Sequence, residues 1–222
     1  MTGIPAVRQG TDEAAPSIAA VLDAAFRPDQ VSLWVMGGPT EVAHRQLSFF
    51  LPFVEYVLAQ QQSDRGEVQI RRDNGEYAGA ALWLDLTGQG DEPGPDMTKI
   101  AEALGEEGFE RFMVLDELMH KHHPVGMRHA YLPFIGVTPH RQSQGFGQQL
   151  LRAKLATLDT AGVPAYLEAT SRRSRDLYEE YGFELHGAEV TLPGGGPRLW
   201  PMRRQPDQYR SGTNSRWAGW PY

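Results

Sequence analysis

The segment between Tyr131 and Glu168 constrains the fold more than any other part of the chain. It opens with the apolar run YLPFIGV, passes through the turn QSQGFG, repeats Leu151, Leu155 and Leu158 at helical spacing, and ends in a second apolar run, PAYLEA. Two buried strands joined by a helix form a βαβ-like crossover, and ligands bind at the carboxyl ends of strands in such units. The sequence therefore predicts an α/β protein with a binding site at the turn after the first strand.

The turn from Gln142 to Gly147 has the composition of an anion-binding loop. Its backbone N–H groups can converge on a phosphate where Gly145 and Gly147 leave them unobstructed, and the following helix adds the positive end of its dipole. Two other interpretations stay open. The glycines serve only to permit a tight turn, or the turn belongs to a dinucleotide-binding motif in which Glu168 binds the ribose. The fingerprint lacks its third glycine, since Leu150 stands there. A triphosphate-binding loop is excluded because no Gly-Lys-Ser/Thr follows Gly147.

Helical periodicity before this segment predicts three further helices. The first has Pro16 in its opening turn, the second is capped by Thr40 and kinked or split at Pro52, and the third covers EEGFERFMVLDELMHKHH. Between the second and third, two apolar strands flank Asn74-Gly75, a pair that supplies the positive φ angles of a tight hairpin. The fold class is therefore mixed α/β.

The C-terminal third adds a short helix from Ser174 to Tyr181 and a final strand pair around the glycines at 194–196. We expect one domain over residues 1–203 and a polar tail over residues 204–222. The tail contains Pro, Gly and aromatic residues, and it docks on the domain or on a partner subunit, so a homodimer is one alternative. A surface loop is expected from Thr87 to Asp96, because Gly, Pro and acidic residues occur there without periodicity.

Composition narrows the classes of function. Lys and Arg number 21 against 28 Asp and Glu, a formal charge of −7, which argues against a nucleic-acid partner. Without Cys the chain has no disulfide, thiolate metal site or cysteine nucleophile, and this fits a cytoplasmic protein. We expect no secretion signal and no membrane span. His120 and His123 lie three apart on a helix, but no third ligand is indicated nearby, so we expect no metal.

The string GVTPHRQSQGFGQQLL resembles the acetyl-CoA-binding signature of the GCN5-related N-acetyltransferase (GNAT) family. That signature has a hydrophobic strand end, Pro two residues later, Gln or Arg, and then two small residues, matched here by Val137, Pro139, Gln142, Gly145 and Gly147. Further along, a Tyr on a short helix precedes a Gly-Phe pair, as in the second half of the family's core. The segments ALW, LEAT and GPRLWPMRR bring the chain closest to the puromycin N-acetyltransferase-like branch.

The resemblance implies a mixed, mostly antiparallel central sheet that is flanked by helices and splayed at the acetyl-CoA strand. Ser174 stands where that branch usually has Asn, and Ser143 stands where it usually has Gly. We expect Ser143 to be tolerated if its φ is negative, because its N–H remains available. The candidate CoA-binding residues are Ile135, Val137, Arg141, Gln142, Ser143, Gln144, Gly145, Phe146, Gly147 and Ser174.

Transfer of an acetyl group from a thioester to an amine needs a base, an oxyanion donor and an acid for the leaving thiolate. We assign the acid to Tyr178, the oxyanion donor to a backbone N–H around residues 135–137, and the base to Glu168, acting directly or through water. Alternatively, Tyr178 is a core aromatic residue beside Leu177 or Phe183, and Glu168 is a structural acid paired with Arg172 or Arg173. Rival bases are His129, Glu117 and Asp116.

The sequence thus predicts an N-acetyltransferase that uses acetyl-CoA as cosubstrate and acts directly on a small-molecule amine, such as an aminonucleoside or another toxic amine. Trp34 and Trp83 are the first candidates for acceptor-binding residues, from an aromatic set that also contains Phe49, Phe50, Phe53 and Tyr56. Two alternatives stay open: a CoA-binding regulatory domain without turnover, and an enzyme that acetylates amino groups of proteins or peptides.

Overall fold

A single twisted sheet organises the computed structural model, which describes residues 7–87 and 94–207, without the side chains of residues 42–47. The strands lie in the order β1-β2-β3-β4-β5-β8-β6, and β7 pairs with β8. Their bounds are Arg8–Gln9 (β1), Gly66–Asp73 (β2), Glu76–Leu86 (β3), His129–Val137 (β4), Ala165–Ala169 (β5), Glu184–Leu185 (β6), Val190–Thr191 (β7) and Arg198–Arg204 (β8).

All neighbouring strands are antiparallel except β4 and β5, which are parallel and joined by a helix. The helices are Ala15–Phe26 (α1), Gln30–Met36 (α2), Pro39–Gln61 (α3), Met97–His122 (α4), Phe146–Ala161 (α5) and Arg172–Glu180 (α6). The mixed, mostly antiparallel sheet flanked by helices is therefore confirmed, as is the βαβ crossover. None of the helices in the described ranges is long and apolar enough to span a membrane.

The sheet opens between its two parallel strands. β4 and β5 pair only at Ala130 with Ala165 and at Tyr131 with Tyr166, and beyond these positions the strands diverge. On its other side β4 stays paired with β3 as far as Val137, with a bulge in which Trp83 faces two β4 residues. The predicted splay is present, and it leaves one edge of β4 free over its carboxyl half.

Local sequence explains most of the helix boundaries, and two of them correct our expectations. The residue that caps α3 is Gly38 at φ 121°, with Pro39 in the first turn, so Thr40 is not the cap. The helix continues through Pro52 as one element, so of the two predicted outcomes, a kink or a split, the split does not occur. We did not predict α2, which is capped by the Asp29 carboxylate accepting from the N–H groups of Val31 and Ser32.

Each face of the sheet carries its own hydrophobic core. Helices α1 to α4 pack on one face around Ile18, Leu22 and Phe50, and α5 packs on the other around Leu151 and Leu155. The sheet separates the two cores, and the splay between β4 and β5 is a gap in that sheet.

At the C-terminus, strand β8 runs one residue past the expected domain boundary at 203. Arg204 is buried and forms ion pairs with Asp159 and Asp207, which fasten the strand's end to α5. Most of the predicted tail, residues 208–222, lies outside the described residues. The same is true of residues 88–93 in the predicted surface loop.

Candidate active site

A cleft with a volume of about 820 Å³ occupies the splay. Its walls are the free edge of β4, the turn that leads into α5, the end of β5 and the first turns of α6. The sheet therefore brings together the two motifs that the sequence places far apart, the glycine-containing turn and the helix that carries Tyr178.

The turn presents a row of unpaired amides to this cleft. Within the described residues, no backbone N–H from Ser143 to Gln148 has a protein acceptor, and the first bond into α5 is donated by Gln149 to the Gly145 carbonyl. The amides before this row are occupied, since Arg141 donates to Thr138 and Gln142 to Pro139. The free amides and the positive end of the α5 dipole together form an anion cradle.

The backbone of the cradle corrects one expectation. Ser143 has a φ of 61°, in the left-handed region, and Gly145 follows at 80°. The condition that we set for Ser143, a negative φ, is therefore not met. This alternation turns successive amides toward one concavity, and it strains Ser143 because its Cβ crowds the chain.

Ser143→Gly is therefore expected to raise the free energy of unfolding by about 1 kcal/mol, which corresponds to a rise in Tm of about 2–4 °C. The affinity for CoA stays close to the wild-type value because the amide is unchanged. Ser143→Ala is the control, since it removes the same hydroxyl but keeps the strain. Thermal denaturation of both variants measures the difference, and equal Tm values would contradict this account.

The free edge of β4 supplies the second set of amides. The Thr138 N–H donates to Ala78 on β3, so strand alternation turns the N–H groups of Ile135 and Val137 the other way, into the splay. The Gln142 side-chain amide donates to the Val137 carbonyl at 3.1 Å, on that same side. Gln142 therefore braces the turn against the strand, and the Ile135 and Val137 amides face the cleft.

Some charged and hydroxyl side chains at the cradle are already bonded to protein groups and are less available to a ligand. Arg141 lines the cleft but forms an ion pair with Asp73 at 3.0 Å. Ser174 also lines it, although its hydroxyl belongs to the capping box of α6 with Ser171. Arg173 lines the cleft and donates to the Ser143 hydroxyl at 3.2 Å. Arg173 is thus a cation at the cradle, although our candidate CoA-binding residues do not include it.

Tyr178 lies in the wall of the cleft opposite β4. Its ring packs against Phe183, with the ring centres 5.7 Å apart, and its hydroxyl makes no hydrogen bond to any described residue. Burial raises the pKa of Tyr178 above its ordinary value of 10. The residue is therefore both a packed aromatic and a phenol that keeps its proton, as a general acid requires.

Glu168 lies where β5 turns away from β4. Burial raises the pKa of Glu168 to about 7, against the opposing effect of the nearby Tyr131 and Tyr166 hydroxyls. The nearest basic side chain is His123, whose Nδ1 is 4.0 Å from Oε1, and among the described residues Glu168 forms no ion pair with Arg172 or Arg173. A carboxyl with a pKa near 7 can gain and lose a proton at physiological pH.

The rival bases are less well placed. His129 is fully buried and hydrogen-bonded to His123, and it lines none of the cavities described here. Glu117 is exposed on α4. Asp116 borders a neighbouring cavity, and burial raises its pKa. In residues 7–87 and 94–207, no His, Asp and Glu side chains form a group of three that could hold a metal ion.

That neighbouring cavity is apolar, has a volume of about 230 Å³, and meets the cleft at Glu168. Asp29, Thr170 and Pro133 also line both spaces. Its aromatic lining includes Phe26, Phe49, Phe50, Phe53, Tyr56, Phe112 and Phe134. An apolar compartment therefore opens beside the carboxyl that can act as a base.

The two tryptophans predicted to bind the acceptor lie elsewhere. Trp83 is only 1% exposed and packs in the core between the sheet and α5, so it does not reach the cleft. Trp34 lines a separate surface cavity, beside Gly196 and Trp200. The four other aromatics of the predicted set, Phe49, Phe50, Phe53 and Tyr56, all line the apolar cavity.

A splayed sheet, an amide cradle at the start of a helix and a buried phenol across the cleft are the features that a CoA-dependent acyl-transfer site requires. The family model described as the Acetyltransferase (GNAT) family matches residues 42–183, and the chain belongs to that family. The family uses acetyl-CoA. These findings confirm the resemblance at the level of the family.

Individual relatives are more distant. An uncharacterized N-acetyltransferase of Schizosaccharomyces pombe is 26% identical over 126 residues, which are 49% of this chain and 48% of that protein. The chain spans about half the length of the curated relatives it matches. Among solved structures, a histone acetyltransferase HPA2 and related acetyltransferase from Corynebacterium glutamicum has a TM-score of 0.67 and 24% identity, covering 95% of this chain and 98% of that one. The PaiA N-acetyltransferase of Thermoplasma acidophilum in complex with coenzyme A has a TM-score of 0.57 and 10% identity, with coverage of 90% and 97%. These structural likenesses show the fold.

Proposed function

We propose that this protein transfers the acetyl group of acetyl-CoA directly to the primary amine of a small molecule whose remaining part is apolar and aromatic. One observation carries this proposal: the cleft with the amide cradle and the apolar cavity meet at Glu168. An amine that extends from the cavity would therefore reach the carboxyl at the same place as the thioester.

The cleft fits the cosubstrate chemically. Free amides from Ser143 to Gln148 suit a pyrophosphate, with Arg173 and Arg141 as neighbouring cations. The free β4 edge offers amides and carbonyls to an extended amide-containing arm. When bound, acetyl-CoA supplies an activated acyl carbon and a thiolate leaving group.

Each catalytic group has a definite task in this proposal. Glu168 removes the proton from the incoming ammonium, because its pKa near 7 leaves it partly ionised at neutral pH. A β4 amide, from Ile135 or Val137, donates to the carbonyl oxygen as negative charge develops there. Tyr178 gives its proton to the departing sulfur, and the second proton that the nitrogen loses as the amide forms restores the phenol.

The proposal also includes the branch of the family, the bounds of the catalytic domain and the location in the cell. The ALW, LEAT and GPRLWPMRR segments favour the puromycin N-acetyltransferase-like branch, whose acceptors are aminonucleosides, and an aromatic acceptor agrees with the lining of the cavity. We also propose a catalytic domain over residues 1–203 followed by a tail, and a cytoplasmic location in keeping with the Cys-free sequence.

A panel of amines tests the acceptor class. With acetyl-CoA present, release of CoA thiol is expected to be faster with aryl-substituted primary amines than with short polar amines. Burying the ring contributes about 2 kcal/mol, on the order of 30-fold in kcat/KM. A peptide panel addresses the alternative of protein substrates. CoA binding without thiol release from any amine would instead favour a regulatory domain.

Phe53→Trp provides a matched variant for the same assay. Phe53 lines the apolar cavity, so the larger ring reduces its volume, and kcat/KM for aryl amines is expected to fall about tenfold while CoA affinity stays unchanged. Phe109→Trp is the control, because Phe109 is a half-buried aromatic of the same core that does not line the cavity. Equal kinetics for both variants would place the acceptor elsewhere.

A further inference from the structure

A cluster of histidines and tyrosines lies around Glu168, and none of its rings lines the cleft. His123, at the end of α4, is its centre, and its ring contacts are at 4.7 to 4.9 Å between ring centres. The groups that face His123 are His129 and Tyr131 from β4, Tyr166 and Glu168 from β5, His120 from its own helix, and His186 after β6. The mechanism above gives none of these histidines a task.

Hydrogen bonds fix where the ring protons lie. His129 Nδ1 is 2.9 Å from the Met127 carbonyl, and a carbonyl only accepts, so His129 carries its proton on Nδ1. His129 Nε2 is then an acceptor, and it lies 2.9 Å from His123 Nε2. His123 must therefore donate from Nε2. Burial and the nearby histidines lower the pKa of His123 to about 3, so its ring is neutral and its Nδ1 is bare.

The bare nitrogen faces the candidate base. His123 Nδ1 is 4.0 Å from Glu168 Oε1, a buried oxygen, and the Tyr131 and Tyr166 hydroxyls lie close enough to the same carboxyl to oppose the rise of its pKa. When it is protonated, the Glu168 carboxyl can donate to this nitrogen, directly after a small side-chain rotation or through one water molecule.

Turnover creates a proton that has to leave this buried position. The ammonium form of the acceptor, RNH₃⁺, and the thioester give an amide, a thiol and one H⁺, as the C–N bond forms and the C–S bond breaks. In the proposed function that proton ends on Glu168, whose side chain is only 6% exposed. The cleft beside it is then occupied by the products, so release through the cleft must wait for them.

We propose that His123 is a positioning residue for Glu168: its Nδ1 takes the proton from the carboxyl, and the ring releases that proton to solvent. Its side chain is 18% exposed, and it lines none of the cavities described above. The ring passes the proton on without storing it, because the pKa of Glu168 is the higher of the two. This inference rests on the proposed function.

Nitrogen-15 NMR of the histidine rings tests the geometry without any assay of activity. The resting protein is expected to show His123 as the Nε2–H tautomer and His129 as the Nδ1–H tautomer at pH 7.5. A protonated Nδ1 on His123 would overturn the inference, whatever the enzyme's activity.

Kinetics test the transfer itself. His123→Gln keeps an amide that can donate to His129 but cannot accept a proton, and kcat is expected to fall about tenfold or more at unchanged KM for acetyl-CoA. His123→Ala is expected to lose a similar factor and to recover part of it with added imidazole. His122→Gln and His122→Ala are the controls, because the His122 carbonyl that accepts from Tyr166 survives both changes.

The possible failures can be told apart. A wild-type protein that releases no thiol with any amine would overturn the proposed function, and the relay with it. Wild-type activity together with full activity in both folded His123 variants would overturn the relay alone. If kcat of His123→Ala fell and added imidazole did not restore any of it, His123 would have a packing role only. That result would also reject the proton transfer through His123.

Discussion

Replacing Tyr178 with Phe is expected to lower kcat for acetyl transfer by about 100-fold or more, the scale of a general acid. The phenol has no hydrogen-bond partner among the described residues, while its ring packs on Phe183. Removing the oxygen therefore leaves the packing intact and removes only the proton for the departing sulfur. Calorimetry with CoA is expected to give an unchanged Kd.

The control for this variant is Tyr181→Phe. Tyr181 ends the same helix, Arg152 lies over its ring, and its hydroxyl is buried without a partner, yet it does not line the cleft. Its loss is expected to leave kcat within about twofold of the wild-type value. If Tyr178→Phe also kept full activity, another group or water would have to protonate the sulfur.

The parts of the fold that the sequence predicts correctly are those fixed by neighbours along the chain. The Asn74-Gly75 hairpin forms at the expected place because the two residues adopt positive φ angles, 50° and 87°. The strand, turn and helix after Tyr131 form because apolar spacing and two glycines specify them locally. The same local signal located the cradle, although it did not reveal the left-handed φ of Ser143.

The parts that escaped prediction depend on contacts between distant segments. The α2 helix has only seven residues, too few for a clear period, and its cap Asp29 is held by the Thr170 hydroxyl at 2.6 Å. Trp83 lies on the sheet face toward α5, whereas its neighbour Leu82 faces α1 and α3, and strand alternation alone does not say which face meets the acceptor. The pairing of His123 with Glu168 brings the end of α4 against β5, across a separation that no motif spans.

Glu168→Gln is the second variant with a large expected effect. Gln keeps the shape of the side chain but cannot accept a proton, so kcat/KM for acetyl transfer is expected to fall by about 100- to 1,000-fold. In the wild type, kcat/KM rises with pH as Glu168 ionises, with a midpoint near its pKa of about 7. The variant is expected to lose this acidic limb. Asp116→Gln, at the rival carboxyl on the edge of the apolar cavity, is the control and keeps the limb.

The same substitution is expected to stabilise the protein above neutral pH. Because burial raises the folded-state pKa of Glu168 from 4.5 to about 7, the folded state binds more protons than the unfolded chain between these values. Its contribution to stability is therefore lost as pH rises through that window, by about 3 kcal/mol at pH 8. Denaturant unfolding at pH 5 and pH 8 measures this effect. The difference in free energy of unfolding between Glu168→Gln and the wild type is expected to be larger at pH 8. If that difference were the same at both pH values, the pKa of Glu168 in the folded protein would not be raised. Glu168 would then be a carboxylate of ordinary pKa and not the base with a pKa near 7.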